Sequence, residues 1–133
     1  MKIFKFGGAS VKDAEGVKNV LHVLNTVGHE DVLLVISAMG KTTNALEVVI
    51  KNYFDKSKEL HASLQEVRKY HNQILLDLFE DEDHDVFFDV NAHFDDLEYF
   101  IRSNKSPNYN FVYDQVVSIG ELVSTTIVSH YFN

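Results

Sequence analysis

Two short apolar segments, separated by an amphipathic one, constrain the fold more than any other feature of this chain. Lys2–Phe6 is rich in β-favouring residues and ends at a pair of glycines. Ala14–Val27 has apolar residues at helical spacing, with Asp13 placed to cap its start and Gly28 its end. Residues 31–37 contain the unbroken run V-L-L-V-I, typical of a strand buried on both faces. The pattern predicts a strand, a helix and a second, parallel strand, joined by a right-handed crossover.

Parallel strands bring the loops that follow them to one edge of the sheet, where α/β proteins bind ligands. The first loop (residues 7–11) follows the first strand, and the second loop (residues 37–44) follows the second. The two loops are therefore predicted to share one site.

The rest of the chain is predicted to be helical. Asn44 and Glu47 have the spacing of a helix cap, and from there to Phe79 the sequence contains neither proline nor glycine. Residues 86–101 continue as helix, and residues 103–108, with the single proline, form a loop. A last helix buries an apolar face formed by Val112, Val116, Ile119, Val123 and Ile127. With only two strands in 133 residues, we expect the opening part of a larger α/β fold.

Charge and composition exclude several classes of protein. The 20 acidic residues outnumber 12 basic ones, which disfavours nucleic-acid binding. Cysteine is absent, and the first apolar run is too short for a signal peptide or membrane span, so we expect a cytoplasmic protein with no membrane partner. Nine acids crowd residues 80–98, a pattern that favours a solvated acidic surface over a cation site. The seven histidines lack zinc-ligand spacing, and no resident metal is expected.

Three segments have the residue types that bind small charged molecules. Lys5 precedes the pair Gly7 and Gly8, an arrangement that suits a phosphate but also suits a tight turn with positive φ. The second loop contains G-K-T, yet the further glycine that a P-loop requires is replaced by Val35, so a P-loop is excluded. Its hydroxyl and amide groups can bind a polar substrate or cap the next helix.

The third segment places Glu121 within an apolar helix. Its carboxylate either is buried against a partner or ligand cation, or lies on an exposed stripe of the helix. Gly120, in the middle of the helix, indicates close approach by another group.

Together the three segments resemble the aspartokinases. Residues 5–11 (K-F-G-G-A-S-V) resemble the family's K-F-G-G-T-S-V, residues 37–44 (S-A-M-G-K-T-T-N) its S-A-M-x-x-x-T-N, and residues 118–124 (S-I-G-E-L-V-S) its S-x-G-E-x-x-S. Ala9 departs from the usual threonine and removes one hydroxyl. The resemblance covers the whole chain and implies the amino acid kinase fold, a three-layer αβα sandwich, of which this chain is the start with a large helical segment.

The resemblance also implies an activity, the transfer of the γ-phosphoryl group of ATP, with Mg²⁺, to the side-chain carboxylate of L-aspartate. The product, 4-phospho-L-aspartate, opens the route to lysine, threonine and methionine. By the same resemblance Lys5 is the catalytic charge stabiliser, and phosphate contacts come from Lys5, Gly7, Gly8 and Ser10. Aspartate contacts come from Ser37, Ala38, Thr43 and Glu121.

Residues 1–133 are thus expected to be the N-terminal, aspartate-binding part of a catalytic domain in a homo-oligomer. The nucleotide-binding half and the ACT regulatory domains fall outside them, so the isolated chain should be inactive. Two alternatives stay open, another member of the amino acid kinase family and a non-catalytic helical module that interacts through its acidic segment.

Overall fold

The computed structural model describes all 133 residues as a small parallel sheet packed against five helices. The elements in chain order are β1 (Lys2–Phe6), α1 (Ala14–Val27), β2 (Val32–Ile36), α2 (Thr42–Phe54), α3 (Leu60–Leu78), α4 (Asp85–Ser103) and α5 (Tyr109–Phe132). Strands β1 and β2 pair in parallel, from Lys2 opposite Val32 to Phe6 opposite Ile36. A single 3-10 turn, Gly8–Val11, follows β1. The predicted strand, helix and parallel strand are confirmed.

Both predicted ends of α1 are also confirmed. The Asp13 carboxylate accepts a hydrogen bond of 2.8 Å from the backbone N–H of Gly16, which satisfies a donor that the first turn leaves free. At the other end Gly28 has φ of +90°, and its N–H donates to the carbonyl of Leu24. Only glycine adopts such a φ at little cost, so the residue fixes where α1 stops.

The sheet is covered on one face only, and the prediction that β2 is buried on both faces is wrong for this chain. Phe4, Leu34 and Ile36 are half-buried and pack against the helices. On the opposite face Ile3 and Leu33 are 61% and 50% exposed. An unbroken apolar run indicates that two faces suit burial, but the helices within these residues cover just one.

The helices surround one continuous core of 23 buried residues. The apolar face predicted for α5 lies entirely within it. The start of α2 differs from the prediction, because the helix begins at Thr42 and not at Asn44. The Thr42 hydroxyl bonds back to the carbonyl of Met39 at 2.5 Å, which closes the turn before the helix without an Asn44 cap.

The acidic segment is partly tied into the fold. Arg68 of α3 contacts Asp95 at 2.8 Å and Glu98 at 3.6 Å, and His130 of α5 contacts Asp89 at 2.9 Å. The remaining acids of residues 80–98 are exposed, as expected for a solvated acidic surface. None of the five helices combines the length and the apolar character needed to cross a membrane.

Candidate functional site

The first and second loops are hydrogen-bonded to each other at the carboxyl edge of the sheet. The N–H of Ser37 donates to the carbonyl of Phe6 at 3.0 Å, and the N–H of Gly40 donates to that of Gly8 at 2.9 Å. A Cβ atom on Gly8 would lie 2.6 Å from the Gly40 carbonyl oxygen and 2.9 Å from that of Ala38. The predicted juxtaposition of the two loops is confirmed, and only glycine fits at the point where they meet.

The two glycines of the first loop differ in what requires them. Neither has a positive φ, so the tight-turn explanation is wrong for both. Gly8 is required by its contact with the second loop. Around Gly7, at φ of −76°, no atom lies within 4 Å of where a Cβ would stand. The backbone at Gly7 is therefore open to a ligand.

Lys5 and Ser10 flank this opening, and both side chains are exposed. Lys5 pairs with Val35 in the sheet register and lies on the uncovered face, at the strand end that leads into the first loop. Ser10 lies within the 3-10 turn, where its N–H donates to the carbonyl of Gly7 at 3.0 Å. Its hydroxyl is free to serve a ligand.

The second loop alternates between accessible and buried positions. Ser37 is exposed and Thr43 is half-buried in the first turn of α2. Ala38 is 6% exposed, so a ligand can reach its backbone but hardly its methyl group. Thr42 is 3% exposed and faces the core. The first amides of α2, which lack helical acceptors, add partial positive charge beside Thr43.

Helix α5 closes the third side of the site. The Ser124 hydroxyl donates to the Ser37 carbonyl at 2.7 Å. A Cβ on Gly120 would lie 3.1 Å from Cγ2 of Thr42 and 3.2 Å from Cβ of Ala38, so the close approach predicted at this glycine is confirmed. Glu121 is exposed, which decides for the exposed stripe. The helix thus presents a carboxylate next to the residues that hold the second loop.

Two residues of α3 that sequence reasoning missed also contact the loops. Tyr70 donates its hydroxyl to the carbonyl of Lys12, just after the first loop, and His71 lies against Thr42 of the second. Burial, with a smaller effect of Asp13, raises the pKa of Tyr70, so its hydroxyl remains a donor to higher pH than that of a free tyrosine. The sequence signal that could have identified His71 is its position on the apolar face of α3, between Val67 and residues 74–75.

A cleft of about 560 Å³ lies between these loops and α3, with Lys12, Lys41, Glu66 and Tyr70 among its lining residues. Of the predicted site residues, none lines this cleft. They lie instead around the loop junction, with Lys5 on the uncovered sheet face.

The model of the Amino acid kinase family matches residues 1–133, which is every residue of the sequence. The chain belongs to the amino acid kinase family. Within that family its relatives are aspartokinases. The chain is 29% identical over 132 residues to bifunctional aspartokinase/homoserine dehydrogenase 2 of Escherichia coli strain K12, a match to 99% of this chain and 16% of that protein. It is 31% identical over 135 residues to the chloroplastic aspartokinase 1 of Arabidopsis thaliana, a match to 98% of this chain and 23% of that protein.

A solved structure agrees with this amino acid kinase assignment. E. coli aspartokinase III in complex with aspartate and ADP superposes with a TM-score of 0.80 at 21% identity, covering 98% of this chain and 28% of that one. The likeness establishes the α/β amino acid kinase fold, and the expected fold class and resemblance to aspartokinases are confirmed. The chain spans less than a quarter of the length of the two curated relatives and 28% of the solved structure.

Proposed function

We propose that residues 1–133 form the acceptor half of an aspartate kinase, which transfers the γ-phosphoryl group of ATP to the side-chain carboxylate of L-aspartate. The observation that carries this proposal is the hydrogen-bonded junction of the two loops with α5 packed over it, through Gly8, Gly40 and Gly120. It gathers an open backbone, hydroxyls, an ammonium and a carboxylate around one edge of the sheet. The aspartokinase relatives and a neighbour solved with aspartate and ADP support the choice of substrates.

The open side of the site suits the phosphoryl group. Gly7 leaves its backbone accessible, Ser10 offers a free hydroxyl, and the exposed ammonium of Lys5 can reach a ligand from the uncovered face. Phosphoryl transfer spreads negative charge over the transferring oxygens, and a fixed positive charge is worth most in that state. We therefore assign Lys5 to charge stabilisation and Gly7, Gly8 and Ser10 to phosphate contacts.

The side of the site formed by the second loop and α5, which we call the held side, suits the amino acid. L-aspartate brings two carboxylates and an ammonium, which call for donors and one acceptor carboxylate. Ser37, the Ala38 backbone and Thr43 supply donors beside the N-terminal end of α2. Glu121 supplies the carboxylate for the α-ammonium.

ATP and Mg²⁺ would meet this half from outside it. Within the 133 residues no three acidic or imidazole side chains lie close enough to share an ion. We expect the nucleotide-binding half, and ACT regulatory domains, in further sequence of the same protein. We place that protein in the cytoplasm, as a homo-oligomer, at the first step toward lysine, threonine and methionine.

The test is aspartate-dependent turnover by the full-length product of the reading frame that contains these residues. Hydroxylamine traps an acyl phosphate as a hydroxamate, so ADP release and hydroxamate should rise together with L-aspartate. D-aspartate, L-asparagine and L-glutamate are the controls. Turnover with another acid and not with L-aspartate would move the protein to a different member of the family. A lack of turnover with every acid tested, at a saturating ATP concentration, would favour the alternative of a non-catalytic helical module.

The 133-residue chain by itself should bind aspartate without turnover. In-line transfer requires donor and acceptor to be held together, and this chain holds one of them. Calorimetry measures the binding and a coupled ADP assay the turnover. Aspartate-dependent ADP release by this chain would show that a nucleotide site lies within residues 1–133.

Light scattering of the full-length product tests the proposed homo-oligomer, and a monomeric mass would contradict it.

A further inference from the structure

His71 is a polar side chain in the middle of the helical core. Its exposed fraction is 0%, and it occupies an apolar-face position of α3 between Val67 and Ile74. Its ring packs against Phe94 of α4, with centroids 5.5 Å apart. Polar atoms buried this deeply are costly unless they are hydrogen-bonded, so the partners of the ring define what it does.

Both ring nitrogens face defined groups. Nδ1 lies 2.8 Å from the carbonyl oxygen of Val67, and since a carbonyl only accepts, Nδ1 carries a hydrogen and donates it. Nε2 lies 3.3 Å from the hydroxyl of Thr42, which is 29 residues away in the sequence. Nε2 is therefore an acceptor, and the single hydroxyl hydrogen of Thr42 is shared between Nε2 and the carbonyl oxygen of Met39, which lies 2.5 Å from the hydroxyl. A chain of polar contacts thus runs from α3 through His71 and Thr42 to the second loop.

These contacts bracket the turn that joins the two loops. Met39 and Thr42 stand on either side of Gly40, whose φ is +56° and whose N–H donates to Gly8. Thr43, an assigned aspartate contact, follows Thr42 directly. A displacement of Thr42 therefore moves both the loop junction and Thr43.

The adjacent residue of α3 makes a corresponding contact directly after the first loop. The Tyr70 hydroxyl donates to the carbonyl of Lys12, and the rings of Tyr70 and His71 meet edge to face with centroids 5.1 Å apart. One turn of α3 is thus in contact with the second loop and with the residue that follows the first.

We propose that His71 is a positioning residue for aspartate binding, which acts by holding Thr42 and thereby the second loop. The proposal rests on the proposed function, since it assigns a role within the same site. It gives the helical segment, to which the sequence motifs assign no chemistry, a part in shaping the acceptor site.

The decisive variants separate the polar contact from the filling of space. His71→Phe keeps a ring of similar size and loses both nitrogens, whereas His71→Gln keeps an amide that can reach Thr42. Thr42→Val removes the hydroxyl at nearly constant volume. Ile74→Val, one turn further along α3, removes a methyl group from the same core and changes no polar contact of the loops. It is the matched control.

In the full-length enzyme, His71→Phe and Thr42→Val should each raise the aspartate KM about 5- to 20-fold. The KM for ATP should change less than twofold, and His71→Gln should restore most of the aspartate affinity. Ile74→Val should lower the melting temperature without changing the aspartate KM. If His71→Phe lowers stability and leaves the aspartate KM at the wild-type value, the residue is a core filler and the proposal is wrong.

Hydrogen exchange on the 133-residue chain tests the positioning without any turnover. Amides of residues 37–44 should exchange faster in His71→Phe and Thr42→Val, while those of α1 keep their wild-type protection. Should the wild-type enzyme show no aspartate turnover, the proposed function fails, and the exchange result still decides whether His71 holds the loop. Unchanged exchange in residues 37–44 for both variants would overturn the positioning role. If His71→Phe does not fold, His71→Leu, which also removes both ring nitrogens, takes its place, because Thr42→Val additionally removes the bond from Thr42 to Met39.

Discussion

The two loops at the candidate site are built in opposite ways. The second loop is held from two sides, by Ser124 of α5 and His71 of α3, and its residues 38, 39 and 42 are buried. The first loop is open, since Gly7 and Ser10 are exposed, as is Lys5 at the end of β1. Apart from Val11, whose side chain is buried in the core, its contacts are made by the backbone, at Gly8 and at Lys12 directly after the loop.

This contrast fits the two reactants of the proposed transfer. The ammonium and α-carboxylate of aspartate keep their charge throughout the reaction, so rigid contacts bind ground state and transition state alike and act on KM. The phosphoryl group gathers and redistributes charge, and contacts to it act on kcat. Substitutions in the two loops should therefore separate in their kinetics.

The largest effect is expected at Lys5 of the open side. Lys5→Met in the full-length enzyme removes the charge and keeps the apolar stem, and should lower kcat by about 10³-fold with little change in aspartate KM. Steady-state kinetics with each substrate varied in turn measures it. Lys5→Arg keeps the charge and should retain more activity. A near-normal kcat for Lys5→Met would remove Lys5 from the mechanism.

Glu121, on the held side, should show the opposite kinetic pattern. Loss of a hydrogen bond to a charged group costs about 1.5–3 kcal/mol, so Glu121→Gln should weaken aspartate binding roughly 10- to 150-fold, with a smaller change in kcat. Calorimetry with aspartate gives the affinity directly. Asp114→Asn removes an exposed carboxylate elsewhere on α5 and should leave the affinity at the wild-type value. If both variants bind aspartate normally, Glu121 has no part in the site.

The adjacent glycines test the loop junction itself. In Gly8→Ala the new methyl group meets two backbone carbonyls that cannot move aside cheaply, so unfolding should become easier by about 1–3 kcal/mol. In Gly7→Ala the methyl enters open space at an ordinary φ, so stability should change by less than about 0.5 kcal/mol. Urea denaturation compares the two. Equal losses of stability would mean that the junction contributes nothing particular at Gly8.

The sequence predicted those parts of the molecule that depend on neighbours along the chain. The spacing of apolar residues predicted α1 and the buried face of α5. Helix α1 begins after Asp13 and ends at Gly28, as the capping residues predicted. The loop junction followed from one topological rule, that parallel strands end at the same edge. Gly120 was noticed because glycine is unfavourable inside a helix.

What the sequence missed depends on contacts between distant residues. Whether Leu33 is buried depends on which helices reach its side of the sheet, and the apolar character of the residue does not determine this. The start of α2 is set by Thr42 bonding to Met39 and His71, which a search for cap residues passes over. The role of Gly8 likewise arises from a partner 32 positions away, and a turn rule suggested a positive φ that the residue does not have.

The smallest expected effect is a pH dependence that originates under the second loop. Burial lowers the pKa of His71, an effect that its hydrogen bond to Val67 partly opposes, so the folded protein binds this proton more weakly than the unfolded chain, where the pKa is about 6.5. The neutral, buried His71 thus adds its full contribution to the free energy of unfolding above about pH 6.5. That contribution decreases as the pH falls from there through the lowered pKa of the folded protein.

The pH range is checked by following the free energy of unfolding between pH 7.5 and 5, a range on the scale of a histidine titration. The wild-type value should fall with decreasing pH more steeply than that of His71→Gln, which has no imidazole at this position. His22→Gln, at an exposed position of α1, should keep the wild-type slope and controls for the loss of a histidine as such. Other groups that titrate in this range contribute equally to both curves and cancel in the difference. Parallel curves for the wild type and His71→Gln would show that the imidazole gains its proton as readily in the folded protein as in the unfolded chain, and that the second loop is held from α3 by a contact indifferent to charge.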